Sequence, residues 1–209
     1  MKIKRFALGP LWTNCYVISD GGDEGVVVDP GGPAGEVEDY VRENDIRLHW
    51  IILTHGHGDH IGGVSDLRNL SEKGIAIHSE DADCLTDASR NLSAFMGTSV
   101  ELPSADKMLN EGDILKVGKM TIRVIHTPGH TLGGICLHIA EGEEEVLISG
   151  DTLFARSIGR SDLPGGDENV LINSLKKLSD LPEKIRVFPG HGPETTIGAE
   201  KLYNPYWPR

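Results

Sequence analysis

The seven residues Thr54-His55-Gly56-His57-Gly58-Asp59-His60 constrain the fold of this chain more than any other stretch. They follow the apolar run Trp50-Ile51-Ile52-Leu53, which predicts a buried strand that ends where the polar side chains begin. Imidazole and carboxylate groups bind metal ions, and the intervening glycines permit the tight backbone that turns several of them toward one point while opposing a continuous helix. We therefore predict a metal site here rather than a polar surface loop.

The spacing of these ligands indicates more than one ion. His55, His57 and Asp59 alternate along the chain, whereas His60 breaks the period of two. Ligands that point in two directions can serve two adjacent ions.

Three later strands are predicted to end in the same way, with a glycine followed or preceded closely by a single metal-binding residue. Together with the first stretch they supply seven donors: His55, His57, Asp59, His60, His130, Asp151 and His191. One zinc ion takes about four protein ligands in a closed site and about three in a catalytic one, so this set exceeds one ion. We predict two divalent ions that share Asp151, with His55, His57 and His130 on one ion and Asp59, His60 and His191 on the other. Zinc is expected, although a set of nitrogen and oxygen donors also suits iron and manganese.

Asp29 is a candidate support for this site. It ends another apolar run, Val26-Val27-Val28, and precedes the turn sequence Pro30-Gly31-Gly32. Ligand-bearing loops need such polar partners to orient them.

Strand-like runs occupy both halves of the chain, with helical patterns between and after them. The predicted strands are 2–8, 14–19, 25–29, 49–53, 74–78, 114–117, 120–126, 134–140, 145–149 and 185–188. Helices are predicted at 36–44, 167–178 and 198–203, an interrupted helix at 80–96, and a loop at 99–107. This order predicts an α/β (α+β) protein with two mixed sheets packed face to face and helices outside. With 209 residues, we expect a single domain over 1–209.

Charge and cysteine content exclude several classes of partner and of binding site. A net charge of −12 argues against nucleic acid and against an anionic membrane surface, because both are bound through Lys and Arg. Cys15, Cys84 and Cys136 lack CxxC spacing, which argues against a disulfide framework and a thiolate zinc site. The sequence shows no secretory leader and no apolar run of membrane-spanning length, so we expect a cytoplasmic protein that acts on a small molecule. It leaves the oligomeric state open.

The motifs resemble the metallo-β-lactamase superfamily and, within it, the short, single-domain glyoxalase II-like (hydroxyacylglutathione hydrolase-like) enzymes. The resemblance covers nearly the whole chain and is carried by Thr54 to His60, Thr127-Pro128-Gly129-His130-Thr131, Gly150 to Phe154 and Pro189-Gly190-His191-Gly192. It implies a four-layer αββα sandwich of two mixed β-sheets, with a binuclear metal site along one edge. Segments 159–166 and 192–205 are similar to the short enzymes.

The resemblance implies a binuclear metallohydrolase, a thioesterase that cleaves S-2-hydroxyacyl glutathione or a related thioester with a metal-bridging hydroxide. Asp59 and Asp151 would orient the hydroxide as well as bind metal. Full glyoxalase II enzymes place a Lys and a Tyr where this chain has Arg160 and Asp162, so Arg160 is a candidate contact to a substrate carboxylate. Their glutathione-binding C-terminal helical domain has no counterpart in these 209 residues.

Three other functions are compatible with this pattern. A persulfide dioxygenase of the same superfamily uses one iron held by two His and one Asp, and a lactonase would share the hydrolytic centre. A non-catalytic metal-binding module is the third alternative. A β-lactamase is disfavoured by Asp151, since those enzymes lack such a bridging residue, and an RNA-processing nuclease is disfavoured by the acidic chain.

Overall fold

The two halves of the chain form two mixed β-sheets. The computed structural model describes residues 1–208, and its strands are β1 (Lys2–Leu8), β2 (Thr13–Ser19), β3 (Glu24–Val28), β4 (Arg47–Ile52), β5 (Ile75–His78), β6 (Lys107–Leu109), β7 (Ile114–Val117), β8 (Met120–His126), β9 (Ile135–Glu141), β10 (Glu144–Gly150), β11 (Leu153–Phe154), β12 (Ser157–Ile158), β13 (Arg186–Pro189) and β14 (Thr195–Thr196). Strands β1 to β6 form the first sheet in chain order. The second sheet has the order β14-β13-β10-β9-β8-β7, and β11 and β12 form a separate hairpin.

Short helices connect the strands and cover the outer faces. They are α1 (Gly35–Glu43), α2 (Gly58–Ile61), α3 (Val64–Leu67), α4 (Glu168–Leu178) and α5 (Ile197–Tyr203), with 3₁₀ turns at Arg68–Leu70, Ser79–Thr86 and Ser93–Met96. Helix α4 begins where the Asp167 side chain accepts a hydrogen bond from the Val170 N–H and ends with Lys176 and Lys177 in its last turn. Within residues 1–208, every helix is too short or too polar to span a bilayer.

Alternating side chains on the strands build three apolar layers. On β2, Cys15 and Val17 pack with residues of α1 and α3, whereas Tyr16 and Ile18 face the second sheet. The outer face of the second sheet packs against α4 and α5 in a third cluster. The helix–sheet–sheet–helix order confirms the predicted αββα sandwich of two mixed sheets.

Residues 80–96 differ from the interrupted helix predicted for them. The structure has two separate 3₁₀ turns there, because short polar side chains bind the backbone in place of helical carbonyls. The Asp87 carboxylate accepts a hydrogen bond from the Ser89 N–H at 2.9 Å, and the Asn91 side chain accepts one from the Ser93 N–H at 3.0 Å. The short strands β6, β11, β12 and β14 were also not predicted, since two or three residues carry no periodic signal.

The strand directions bring the ligand-bearing segments to one edge. Strands β10 and β13 are parallel, and β8 runs in the same direction because both it and β10 are antiparallel to β9. Two backbone hydrogen bonds join this edge to the first sheet: Ile135 N–H to the Thr54 carbonyl at 2.9 Å, and Asn14 N–H to the Gly190 carbonyl at 2.7 Å. The ends of β4, β8, β10 and β13 therefore lie together.

A buried carboxylate joins the two sheets near a different pair of turns. Asp20, only 6 % exposed, follows β2 and accepts hydrogen bonds from the Gly22 N–H at 2.8 Å and from the Lys119 N–H, in the β7–β8 turn, at 3.1 Å. Burial disfavours its charge, but these backbone donors lower the pKa of Asp20 below its usual value. Because the pKa is lowered on folding, the ionised carboxylate stabilises the fold above the unfolded pKa of about 3.9, and this contribution is lost as the pH falls through the folded pKa.

We predict that Asp20→Asn lowers the free energy of unfolding at pH 7 by about 1–2 kcal/mol, because one backbone N–H loses its charged acceptor. Urea unfolding at several pH values measures the effect, with the exposed neighbour Asp23→Asn as a control for the change in net charge. The difference between the two variants should shrink below about pH 4. A difference that is the same at pH 7 and pH 3.5 would contradict this role.

Candidate metal centre

The first motif leaves β4 as an extended segment and then forms a single helical turn. His57 has φ −69° and ψ 146°, and Gly58 begins α2, which carries Asp59 and His60. The sequence prediction that the glycines oppose a continuous helix is correct for 54–57 and wrong for 58–61. The change from extended to helical backbone explains why His60 departs from the alternation of the preceding residues.

His55, His57 and His130 form the first cluster. Their ring centroids are 4.7 to 4.8 Å apart in each of the three pairs. The His57 Nδ1 and His130 Nε2 atoms face each other at 3.0 Å. All three side chains are buried, and one ring nitrogen of each lies within 4.8 Å of the other two.

Asp59, His60 and His191 form the second cluster. The His191 Nε2 atom lies 3.3 Å from Asp59 Oδ2 and 3.3 Å from His60 Nε2. The His60 Nε2 atom is 3.7 Å from Asp59 Oδ2. Each of the three residues thus directs one donor atom toward the same space.

Asp151 lies between the two clusters. Its Oδ2 atom is 3.6 Å from His130 Nε2 in the first cluster and 3.7 Å from His191 Nε2 in the second. Its Oδ1 atom is 3.4 Å from His60 Nε2. One carboxylate therefore reaches donors of both clusters, as expected for a residue shared by two ions.

These separations fit metal ions. Two ligand atoms that are each about 2.1 Å from a tetrahedral ion lie about 3.4 Å apart, and the separations given above for His57, His130 and the second cluster run from 3.0 to 3.7 Å. The buried His55 Nε2 and Asp151 Oδ1 atoms have no hydrogen-bond partner. Buried polar atoms without a partner are rare, so the donors are arranged for a group that completes them.

Asp29 orients the first motif, as predicted. Its Oδ1 atom accepts a hydrogen bond from the Thr54 N–H at 2.8 Å, and its Oδ2 atom accepts one from the Thr54 hydroxyl at 2.6 Å. Oδ2 also lies 3.0 Å from His60 Nδ1, which leaves Nε2 directed into the second cluster. Asp29 adopts φ 51°, a left-handed conformation that Asp tolerates better than most residues.

Two further supports were not predicted from the sequence. The buried Asp81 carboxylate accepts hydrogen bonds from the Gly56 N–H, the Thr131 hydroxyl and the Gly133 N–H at 2.7 to 2.9 Å, and so joins the two histidine-bearing loops. The backbone carbonyl of Arg160 lies 2.7 Å from His130 Nδ1 and fixes that ring. Neither support carries a local sequence signal, because each depends on segments that are distant along the chain.

The Arg160 side chain, a predicted substrate contact, stands at the rim of the site. Its guanidinium Nε and Nη2 atoms each lie 2.8 Å from a carboxylate oxygen of Asp162. Both side chains are mostly exposed. A contact between Arg160 and a substrate carboxylate stays a prediction.

The electrostatics of the two clusters differ. Burial and the neighbouring histidines lower the pKa of His55 well below its usual value and the pKa of His57 to about 3. Burial also opposes a charge on His60, yet the nearby carboxylates, Asp151 first among them, raise its pKa to about 10. A histidine binds a metal ion in its neutral form, so binding at the second cluster would displace protons.

Gly190 permits the close approach of the two clusters. A Cβ atom at this position would collide with Asp151 Oδ1 and lie 2.7 Å from the His60 ring. Since glycine has no Cβ, the β13 end can pass against both ligands and deliver His191 beside them.

A cavity of about 680 Å³ opens onto the donors. Asp59, His57, His130, Asp151 and His191 contribute to its wall. A cleft of this size admits a small molecule, and five of the donors would face it.

Comparison with known proteins identifies the superfamily. The profile of the Metallo-beta-lactamase superfamily matches residues 8–191. The probable metallo-hydrolase YqgX of Bacillus subtilis is 36% identical over 99% of this chain and 97% of its own length. The hydroxyacylglutathione hydrolase GloC of Haemophilus influenzae is 35% identical over 99% of this chain and 98% of its own length.

Solved structures give the same result. The BLEG-1 B3 metallo-beta-lactamase superposes with a TM-score of 0.91 at 38% identity, covering 98% of this chain and 99% of that one. A di-iron form of TTHA1623 has a TM-score of 0.81 at 33% identity, with coverages of 97% and 99%. ETHE1 from Myxococcus xanthus has a TM-score of 0.78 at 28% identity, with coverages of 98% and 84%. This chain therefore belongs to the metallo-beta-lactamase superfamily, a superfamily of metallo-hydrolases.

Proposed function

We propose that this protein is a binuclear metallohydrolase of the glyoxalase II-like type that cleaves thioesters. The observation that carries the proposal is the convergence of seven donors in two clusters linked by Asp151, five of which line an open cavity. Similarity to a hydroxyacylglutathione hydrolase at 35% identity supports the thioester as the reacting group. The proposal includes a single domain over 1–209, a cytoplasmic location and a small-molecule partner.

The seven proposed ligands are His55, His57, Asp59, His60, His130, Asp151 and His191. Two divalent ions bound there, with zinc expected, would lower the pKa of a water molecule toward neutrality and polarise the scissile carbonyl. The carboxylates of Asp59 and Asp151 would orient the attacking water. Asp29 and the Arg160 carbonyl would hold His60 and His130 in position.

The cavity lining favours a leaving group that needs no proton donor. Among the described residues, Asn91 and Arg160 supply the polar side chains of the wall besides the donors, and neither is an effective acid. Hydrolysis of a thioester breaks the C–S bond and releases a thiolate, whose conjugate acid has a pKa of about 8.5. Such an anion leaves at neutral pH without a general acid.

The same reasoning ranks β-lactam hydrolysis below thioester hydrolysis. The similarity to the BLEG-1 enzyme makes a β-lactam a necessary comparison substrate. A departing lactam nitrogen is a much stronger base than a thiolate and requires protonation. We expect turnover of a β-lactam to be slower than that of a thioester.

A mononuclear iron persulfide dioxygenase is the second candidate, and the similarity to ETHE1 favours it. Such a site needs three protein ligands and one ion. The donor set here is larger, and in each cluster the donor atoms lie within 4.8 Å of one another. Metal stoichiometry separates the two functions.

We predict that the purified protein binds about two divalent ions per chain and hydrolyses a simple thioester such as S-acetylthiocholine or a glutathione thioester. Elemental analysis measures the ions, and thiol release measures turnover before and after chelation. Chelation should abolish activity, and added zinc, iron or manganese should restore it. One iron per chain, with oxygen consumption on glutathione persulfide and no thioester turnover, would identify the dioxygenase instead.

Replacing the shared carboxylate tests the arrangement of the clusters. Asp151→Asn should lower kcat for thioester hydrolysis at least about hundredfold and reduce metal content, because a neutral amide neutralises no charge between two cations. Asp180→Asn is the matched control, because it removes one negative charge at an exposed position. Full metal content and activity in Asp151→Asn would contradict the proposal.

The support given by Asp29 is tested without altering a ligand. Asp29→Asn should weaken metal binding about 10–100-fold, because it loses the charged acceptor that orients Thr54 and His60, whereas Asn tolerates the left-handed backbone. Competition with a coloured chelator measures the affinity. Asp45→Asn is the control, since Asp45 has φ 50° but is exposed. Equal affinities in the two variants would show that Asp29 has no such role.

A further inference from the structure

Most of the cavity wall beyond the five donors that line it is apolar. Leu11, Leu92, Phe95, Met96, Phe154 and Leu163 line it, and Pro164 completes the wall. These side chains come from the loop after β1, from the 3₁₀ turn Ser93–Met96 and its preceding residue, and from the segments after β10 and β12. Several chain segments thus contribute the same chemistry to one cavity.

The two polar side chains of this wall already have partners. The Asn91 amide donates to the Cys84 and Val100 carbonyls at 2.8 Å each, and its oxygen accepts from the Ser93 N–H at 3.0 Å. The Arg160 guanidinium is held by Asp162 through two bonds of 2.8 Å. Within residues 1–208, the cation of this wall is therefore already paired with a carboxylate of the protein.

Part of this wall is open to solvent. Phe95 is 80 % exposed, Leu11 51 % and Met96 41 %. Large apolar side chains grouped at the mouth of a cavity mark a surface that a ligand covers. The group is continuous with the proposed reaction centre, so a substrate held at the donors would cover these side chains with its own apolar part.

We propose that the substrate is an uncharged thioester with an apolar acyl chain, rather than a glutathione thioester. This inference rests on the proposed thioesterase function and adds the class of substrate. Glutathione carries two carboxylates, whereas the protein has a net charge of −12 and the one Lys or Arg side chain that the described residues contribute to this wall, Arg160, already pairs with Asp162. An apolar chain instead removes Phe95, Leu11 and Met96 from water.

Three probes separate the effect of acyl length from the effect of thiol charge: the hexanoyl thioester of N-acetylcysteamine, the acetyl thioester of the same neutral thiol, and hexanoyl glutathione. The metal-loaded protein should show a kcat/KM for the first probe at least about tenfold above that for each of the other two. The first and second probes share the neutral thiol and differ in acyl length. The first and third probes share the acyl chain and differ in the thiol.

Two substitutions at one exposed position test the wall itself. Phe95→Ala should lower the hexanoyl-to-acetyl ratio of kcat/KM about tenfold, because the acyl chain loses a large apolar contact. Phe95→Arg should raise kcat/KM for hexanoyl glutathione relative to its neutral analogue by supplying the missing cation. Leu202→Ala, which changes a 70 % exposed side chain on α5, should leave all three substrates unaffected.

The outcomes distinguish failure of the inference from failure of the proposed function. Preference for hexanoyl glutathione, with unchanged selectivity in Phe95→Ala, would overturn the inference and leave the thioesterase standing. If the metal-loaded protein hydrolysed none of the three probes, the proposed function would fail and the inference with it.

Discussion

Gathering seven candidate metal ligands at one edge of the sandwich, with four of them buried, is the constraint on which the surrounding structure depends. Each imidazole or carboxylate removed from water needs a partner, and burial without one costs free energy. Asp29 and the Arg160 carbonyl satisfy the outward-facing nitrogen atoms of His60 and His130. The nitrogen and oxygen atoms that face inward have mainly one another as neighbours, at separations that suit a shared ion. The loops are thus built to orient donors that only a bound cation completes.

The parts of this arrangement that could be predicted are those with a local signal. An apolar run followed by glycine and a ligand identified the ends of β4, β8, β10 and β13, because a buried strand and a tight turn each impose their own composition. The alternation broken at His60 indicated two ligand directions, and in the structure His55 and His57 group with His130 whereas Asp59 and His60 group with His191. Asp29 was predicted for the same reason, since it too ends a buried strand. The predicted cytoplasmic location has no comparable structural test and stays a prediction.

The parts that could not be predicted depend on contacts between distant segments. Asp81 binds Gly56, 25 residues away, and Gly133, 52 residues away. Nothing in the local sequence distinguishes this carboxylate from an exposed one. Phe95 is similar: its segment has a helical composition, and only the competing hydrogen bonds of Asp87 and Asn91 break it into turns that bring Phe95 to the cavity. Sequence reasoning therefore found the donors but not the wall.

The donors lie at strand ends and the wall lies in loops, which explains why the donors alone do not select a substrate. Proteins named as a hydroxyacylglutathione hydrolase and as a B3 metallo-beta-lactamase are about equally similar to this chain, at 35% and 38% identity. The donors are set by strand ends, where the two packed sheets leave little freedom. The wall is set by the loops around residues 91–96 and 160–164, which can change while the sandwich and its core are retained. In the proposed function, the apolar side chains of these loops therefore govern substrate choice, and the metal centre governs the reaction.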